Sequence, residues 1–136
     1  EFFPRRENEE AGLALRANEN FYYALSIRGR ESGERELALV ARVRGRTRTV
    51  ACAALGAGAV ELEVSADERG YDFAVHTRGK HVKLGRLEAR ALSAESVMAS
   101  GQSYFTGTYF ALYATGRGRR ATVPADFDWF EYKAVE

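Results

Sequence analysis

Several residue types are scarce in this chain. Cysteine occurs once, at Cys52, tryptophan once, at Trp129, and proline twice, at Pro4 and Pro124, in 136 residues. A single cysteine excludes a disulfide framework and leaves the compartment, cytoplasmic or secreted, open. With small apolar neighbours, Cys52 reads as a buried filler. A nucleophile would need a base nearby, and no motif ties His76 or His81 to it. Those two histidines lie across a turn, and no cysteine or carboxylate in the pattern completes a metal set. Charge of neither sign is in surplus: 20 Lys and Arg stand against 19 Asp and Glu. Nucleic-acid binding therefore has no electrostatic starting point. The local arginine clusters, Arg42 to Arg48 and Arg117 to Arg120, surround glycines and read as solvated turns, with an acidic partner as the alternative. No apolar run reaches the ~18 residues of a membrane-spanning helix. Gly116-Arg117-Gly118 lacks the Lys-Ser/Thr ending of a phosphate loop.

What is present is patterned for sheet. Apolar residues make up 46% and charged residues 29%, and the length suits one domain with a sizeable core. Leu13 and Leu15 alternate with polar or small neighbours. Phe21, Tyr23, Leu25 and Ile27 share one face of a period-two run, as do Leu37, Leu39, Ala41 and Val43. Residues 47–54 form a small apolar strand. Val60, Leu62 and Val64 point inward between Glu61, Glu63 and Ser65. A turn at 67–70 leads to Tyr71, Phe73 and Val75, a hairpin signal. Val82 and Leu84 then point inward. Residues 86–100 read as irregular with one helical turn at Ser93 and Ser96. Residues 108–115 and 126–135 are the last two strands. Phe127 and Trp129 lie on one face of the final strand, and Phe130 and Tyr132 on the other, so it reads as buried on both sides. About nine or ten short strands at this spacing suggest a sandwich or barrel. Both prolines fall outside strand interiors, as a sheet requires.

Three further stretches carry a resemblance. They are Phe105-Thr106-Gly107, then Tyr113-Ala114-Thr115-Gly116, then Pro124-Ala125-Asp126-Phe127-Asp128-Trp129-Phe130 followed by Tyr132. Glu9-Glu10-Ala11-Gly12-Leu13 leading to Asn18-Glu19-Asn20-Phe21-Tyr22-Tyr23 belongs with them, as do Leu84-Gly85, Leu92-Ser93 and Gly101 in order. Together they resemble the C-terminal domain of family 43 glycoside hydrolases, the β-xylosidases and α-L-arabinofuranosidases. The resemblance implies an all-β fold, an antiparallel β-sandwich of the concanavalin A-like jelly-roll kind. Residues 1–136 would form one such domain, shortened at its N-terminal side. The catalytic carboxylates would lie in a propeller domain outside the chain, the expected partner.

The resemblance also sorts the candidate residues. It places Phe105, with Tyr104 as the neighbouring alternative, on a loop at the mouth of the catalytic pocket, where a ring can stack on a sugar face. Gly101 and Gly107 would let that loop turn. The rival reading makes Phe105 a core residue. Trp129, Tyr109 and Tyr113 could instead form a sugar-stacking platform, making the chain a carbohydrate-binding module for xylo- or arabino-oligosaccharides. A third reading is a purely packing domain. Asp126 and Asp128 share a strand face but are not expected to be the catalytic pair. With Glu9 or Glu10 they could hold a structural calcium through hard oxygen donors, or serve only as hydrogen-bonded turn and strand residues. No other cofactor is expected. Exposed sheet edges would admit pairing into a homo-oligomer.

Overall fold

The computed structural model describes residues 1–102 and 107–134. Eight strands are formed: β1 (Glu10–Asn18), β2 (Phe21–Gly29), β3 (Arg35–Val43), β4 (Arg46–Leu55), β5 (Glu61–Ala66), β6 (Gly70–Thr77), β7 (Lys80–Glu88) and β8 (Tyr109–Thr115). A 3-10 turn (Arg90–Leu92) and a short helix, α1 (Ala94–Ala99), precede β8. All pairings are antiparallel. They give a five-stranded sheet in the order β4-β3-β2-β1-β8 and a three-stranded sheet in the order β5-β6-β7.

Period two builds the larger sheet. Leu13, Leu15, Tyr23, Leu25, Ile27, Leu37, Leu39 and Ala41 are all buried, and the registers align them across β1, β2 and β3. Phe73, Val75 and Leu87 of the smaller sheet close on them. Tyr23 meets Tyr71 and Phe73 edge-on, at centroid separations of 6.1 and 6.3 Å. Its hydroxyl donates to the Glu88 carbonyl at 2.8 Å. Leu92 and Val97 from the 3-10 turn and α1 complete that cluster. Two hairpins use two-residue turns with positive φ at both positions, Arg44-Gly45 and Arg78-Gly79. This is the I′ geometry that matches strand twist. Of the arginines at 42–48 only Arg44 sits in the turn, with Arg42 on β3 and Arg46 and Arg48 on β4, whereas Arg117 follows β8 in a left-handed turn position.

Between the core residues, the outer face of the central strands carries small side chains. Gly12 lies opposite Ser26 on one side and Tyr113 on the other. A Cβ on Gly12 would come 2.6 Å from the Ser26 Cα and closer still to the Leu25 carbonyl oxygen. Glycine is required there by backbone proximity.

The structure departs from the sequence reading in five places. Residues 86–88 extend β7 instead of being irregular, while the helical turn expected at Ser93 and Ser96 is present as α1, the Ser93 hydroxyl accepting from the Ser96 amide at 3.3 Å. Val82 pairs with buried Val75 but lies on edge strand β7 and is 41% exposed. Cys52 is exposed, not a filler. It sits on the outer side of edge strand β4 opposite Ala38, within 3.5 Å of the Arg28 guanidinium. The expected strand over 126–135 does not form over its described part, 126–134. Among the described residues, backbone bonds reach that segment only at Asp126, which exchanges them with Glu1. Alternation gives a segment two faces but supplies no ladder partner. Accordingly Phe127, Trp129, Phe130 and Tyr132, expected to be buried, are all exposed. Among the described residues, no helix is long and apolar enough to cross a membrane.

Candidate functional site

The segment that follows β8 is tied down from the sheet end. Glu9 is fully buried. One carboxylate oxygen accepts from the backbone amides of Arg5 (2.7 Å) and Arg6 (3.1 Å). The other accepts from the Thr122 amide and hydroxyl, both at 2.6 Å. Burial alone would raise its pKa. The bonds from Thr122, Arg5 and Arg6 outweigh that and bring it from 4.5 down to about 2. The Asn8 amide donates to the Gly116 carbonyl at 2.8 Å. Arg35, also buried, donates to the carbonyls of Phe2 (2.8 Å), Gly56 (2.7 and 3.0 Å) and Gly58, with its guanidinium 4.4 Å from the centre of the Phe3 ring. The N-terminal segment, the segment after β8 and the β4–β5 link are thereby fixed to one end of the sandwich.

Beyond these anchors, residues 125–134 run past edge strand β5 and leave a groove of about 940 Å³. Phe110 and Leu112, on the inner side of β8, line it with Leu62, Phe127, Trp129 and Phe130. The Tyr132 ring lies 5.8 Å from that of Phe110. Trp129 is 60% and Tyr132 71% exposed. These are large apolar surfaces left in water beside a cavity, a combination that marks contact with something else.

The stacking platform named from sequence is split. Trp129 lines the groove, whereas Tyr109 and Tyr113 alternate with Phe110 and Leu112 and so occupy the opposite face of β8. Each is engaged there. The Tyr109 hydroxyl accepts from Arg16 at 2.7 Å, and the Tyr113 hydroxyl donates to Glu10 at 2.6 Å. Burial, reinforced by the Glu10 carboxylate, pushes the Tyr113 hydroxyl pKa up. The carboxylates considered for calcium do not converge into one set among the described residues. Glu9 is filled by protein donors, Glu10 bonds Tyr113, and Asp126 and Asp128 are exposed at the groove. Phe105 and Tyr104 lie outside the described residues. The connection that carries them is flanked by Gly101 and Gly107, both in the left-handed region at φ 82° and 76°.

One cluster escaped the sequence reading. Glu63 on β5, His76 on β6 and His81 on β7 share the outer face of the smaller sheet. Their ligand atoms lie within 4.8 Å of one another. Glu63 thus supplies the carboxylate that the two histidines were expected to lack. The signal was the two-residue Arg78-Gly79 turn, which sets His76 directly opposite His81. The His76 hydrogen bond, helped by the His81 ring nearby, holds the Glu63 carboxyl below the usual range.

Residues 1–133 match the family described as the β-xylosidase C-terminal concanavalin A-like domain. The non-reducing end α-L-arabinofuranosidase BoGH43B of Bacteroides ovatus is 35% identical over 136 residues, which are 99% of this chain and 25% of that protein. Among solved structures, the Bacteroides ovatus xyloglucan-locus GH43B matches with a TM-score of 0.81 and 33% identity, over 89% of this chain and 23% of that one. The GH43 protein BlXynB of Bacillus licheniformis matches with a TM-score of 0.76 and 26% identity, over 88% of this chain and 24% of that one. The chain spans about a quarter of the length of the relatives it matches.

Proposed function

The chain belongs to the concanavalin A-like C-terminal domains of family 43 glycoside hydrolases, and from that premise we propose that it serves as a non-catalytic accessory domain, packed on the catalytic domain of its parent enzyme and lending an aromatic ring to the substrate pocket. The carrying observation is the match itself: essentially all of this chain aligns with one quarter of an arabinofuranosidase. The exposed aromatic run from Phe127 to Tyr132 beside the groove supports a face that packs against another body. The parent enzyme would remove α-L-arabinofuranosyl or β-xylosyl units from the non-reducing ends of plant glycans. Phe105, or its neighbour Tyr104, would sit at the pocket rim. Gly101 and Gly107, on either side of them, hold left-handed conformations that glycine adopts readily.

A second reading has its own observation. The exposure of Trp129 and Tyr132 suits a carbohydrate-binding module, since an aromatic ring in water can stack on a sugar face. Calorimetric titration of the chain with xylo- and arabino-oligosaccharides separates the two. The accessory reading expects no saturable heat. Saturable binding abolished by Trp129→Ala would replace it with the module. In the full-length enzyme, Phe105→Ala is expected to lower kcat/KM by tenfold or more, about 1.4 kcal/mol of transition-state binding. Unchanged kinetics in both Phe105→Ala and Tyr104→Ala would remove the pocket role.

A further inference from the structure

We propose that Glu63, His76 and His81 form a binding site for a divalent transition-metal ion of the zinc type, clipping together the three strands of the smaller sheet. The three residues come from three different strands. His76 and His81 face each other directly in the β6–β7 register. Their rings stack at a centroid separation of 4.2 Å with 27° between planes. This arrangement turns both Nε2 atoms toward one carboxylate oxygen. Glu63 Oε2 contacts His76 Nε2 and lies 3.7 Å from His81 Nε2.

Two imidazoles and one carboxylate are a recurring zinc donor set, with a fourth position left for water. An ion about 2.0–2.2 Å from each ligand requires ligand atoms roughly 3.3 Å apart in tetrahedral geometry. The Glu63–His81 separation needs only a small contraction, and the Glu63–His76 contact a small opening. The far oxygen of Glu63 is already held, since the Ser65 hydroxyl donates to it at 3.4 Å. Such outer bonds orient ligating carboxylates. Glu61 lies opposite His76 and adds a second negative charge to that edge, while Lys83 lies opposite Ala74. All three ligands are about two-fifths exposed, so an ion has a path in. Imidazole nitrogen favours zinc, copper or nickel over calcium and magnesium, which prefer all-oxygen shells. Glu63 and His76 also line the groove, so the cluster borders it.

The test is titration of the metal-free chain with zinc chloride, alone and with millimolar calcium or magnesium present. One zinc per chain is expected, undisturbed by either competitor. The affinity should fall at least tenfold in each of His76→Ala, His81→Ala and Glu63→Gln. Zinc should also raise the melting temperature of the native chain and leave that of the variants unmoved. The substituted side chains are on the surface, and far-UV circular dichroism verifies that each variant folds. Two results would overturn the site: no saturable zinc uptake by the native chain, or uptake undiminished in the His76→Ala/His81→Ala double variant, which would move the binding elsewhere, for instance to exposed Cys52.

Discussion

Replacing Glu9 with glutamine probes the anchor that holds the segment after β8 in place. The carboxylate accepts four hydrogen bonds, two at each oxygen. An amide has only one accepting end. Its least harmful orientation turns the NH2 toward Thr122, whose hydroxyl can accept from it. The Thr122 amide then loses its partner, at about 1–3 kcal/mol, and the bonds from Arg5 and Arg6 lose their ionic character. A second route gives a similar size. A carboxyl pKa lowered from 4.5 to about 2 corresponds to about 3 kcal/mol of folding stability at neutral pH. For a domain of this length that is a fall in melting temperature of roughly 10 °C. The pH dependence has a definite sign. A depressed carboxylate pKa contributes stability that is fully present above about 4.5 and is lost as pH falls toward about 2. Thermal unfolding followed by circular dichroism should therefore show the native chain well above Glu9→Gln at pH 6. The gap should close between pH 4.5 and 2, where the protonated acid and the amide become alike. A gap that persists unchanged to pH 2, or one below about 0.5 kcal/mol at pH 7, would refute the reasoning.

Two other substitutions address the frame. Gly12→Ala would place its Cβ 2.6 Å from the Ser26 Cα, forcing β1 and β2 apart at a position pinned by strands on both sides. The expectation is a loss of about 2–3 kcal/mol in urea unfolding, and a loss below about 0.5 kcal/mol would show that the pair can shift freely. Arg35→Lys keeps the charge but replaces a fork that reaches three carbonyl-bearing residues with a single point donor. It should cost about 2–3 kcal/mol, and equal stability of the two chains would show that water takes over those carbonyls.

The strands whose alternation is strict were legible in the sequence. Phe21, Tyr23, Leu25 and Ile27 announce β2, and Val60 to Thr77 contains the β5–β6 hairpin. The resemblance carried by the later stretches gave the fold and the family correctly. Legibility ended where structure depends on a partner. The run from Phe127 to Tyr132 has the pattern of a buried strand, but pattern does not supply a neighbouring ladder, and its aromatics lie in water. Glu63 looked like an ordinary outward residue because its proximity to His76 and His81 depends on two registers at once. Glu9 read either as a donor to a cation or as a hydrogen-bonded turn residue, and the second reading is the one its four bonds match. Its burial follows from Thr122, 113 residues away, which no local rule connects to it. Cys52 was misplaced because a small apolar run on an edge strand has the composition of an interior one.

All but one of the strand pairings join neighbours along the chain, and the exception, β1 with β8, is bridged by everything in between. The last stretch of that bridge, from the end of β7 to the start of β8, first seats Leu92 and Val97 in the core through the 3-10 turn and α1 and only then runs on to β8. Lengthening a connection costs little, about 0.6 kcal/mol for each doubling, and connections run over the surface. A change of length after α1 would therefore leave the eight strand registers in place, whereas a change within the 3-10 turn or α1 would reach the core through Leu92 and Val97. The short helix is thus part of the frame, although it belongs to neither sheet.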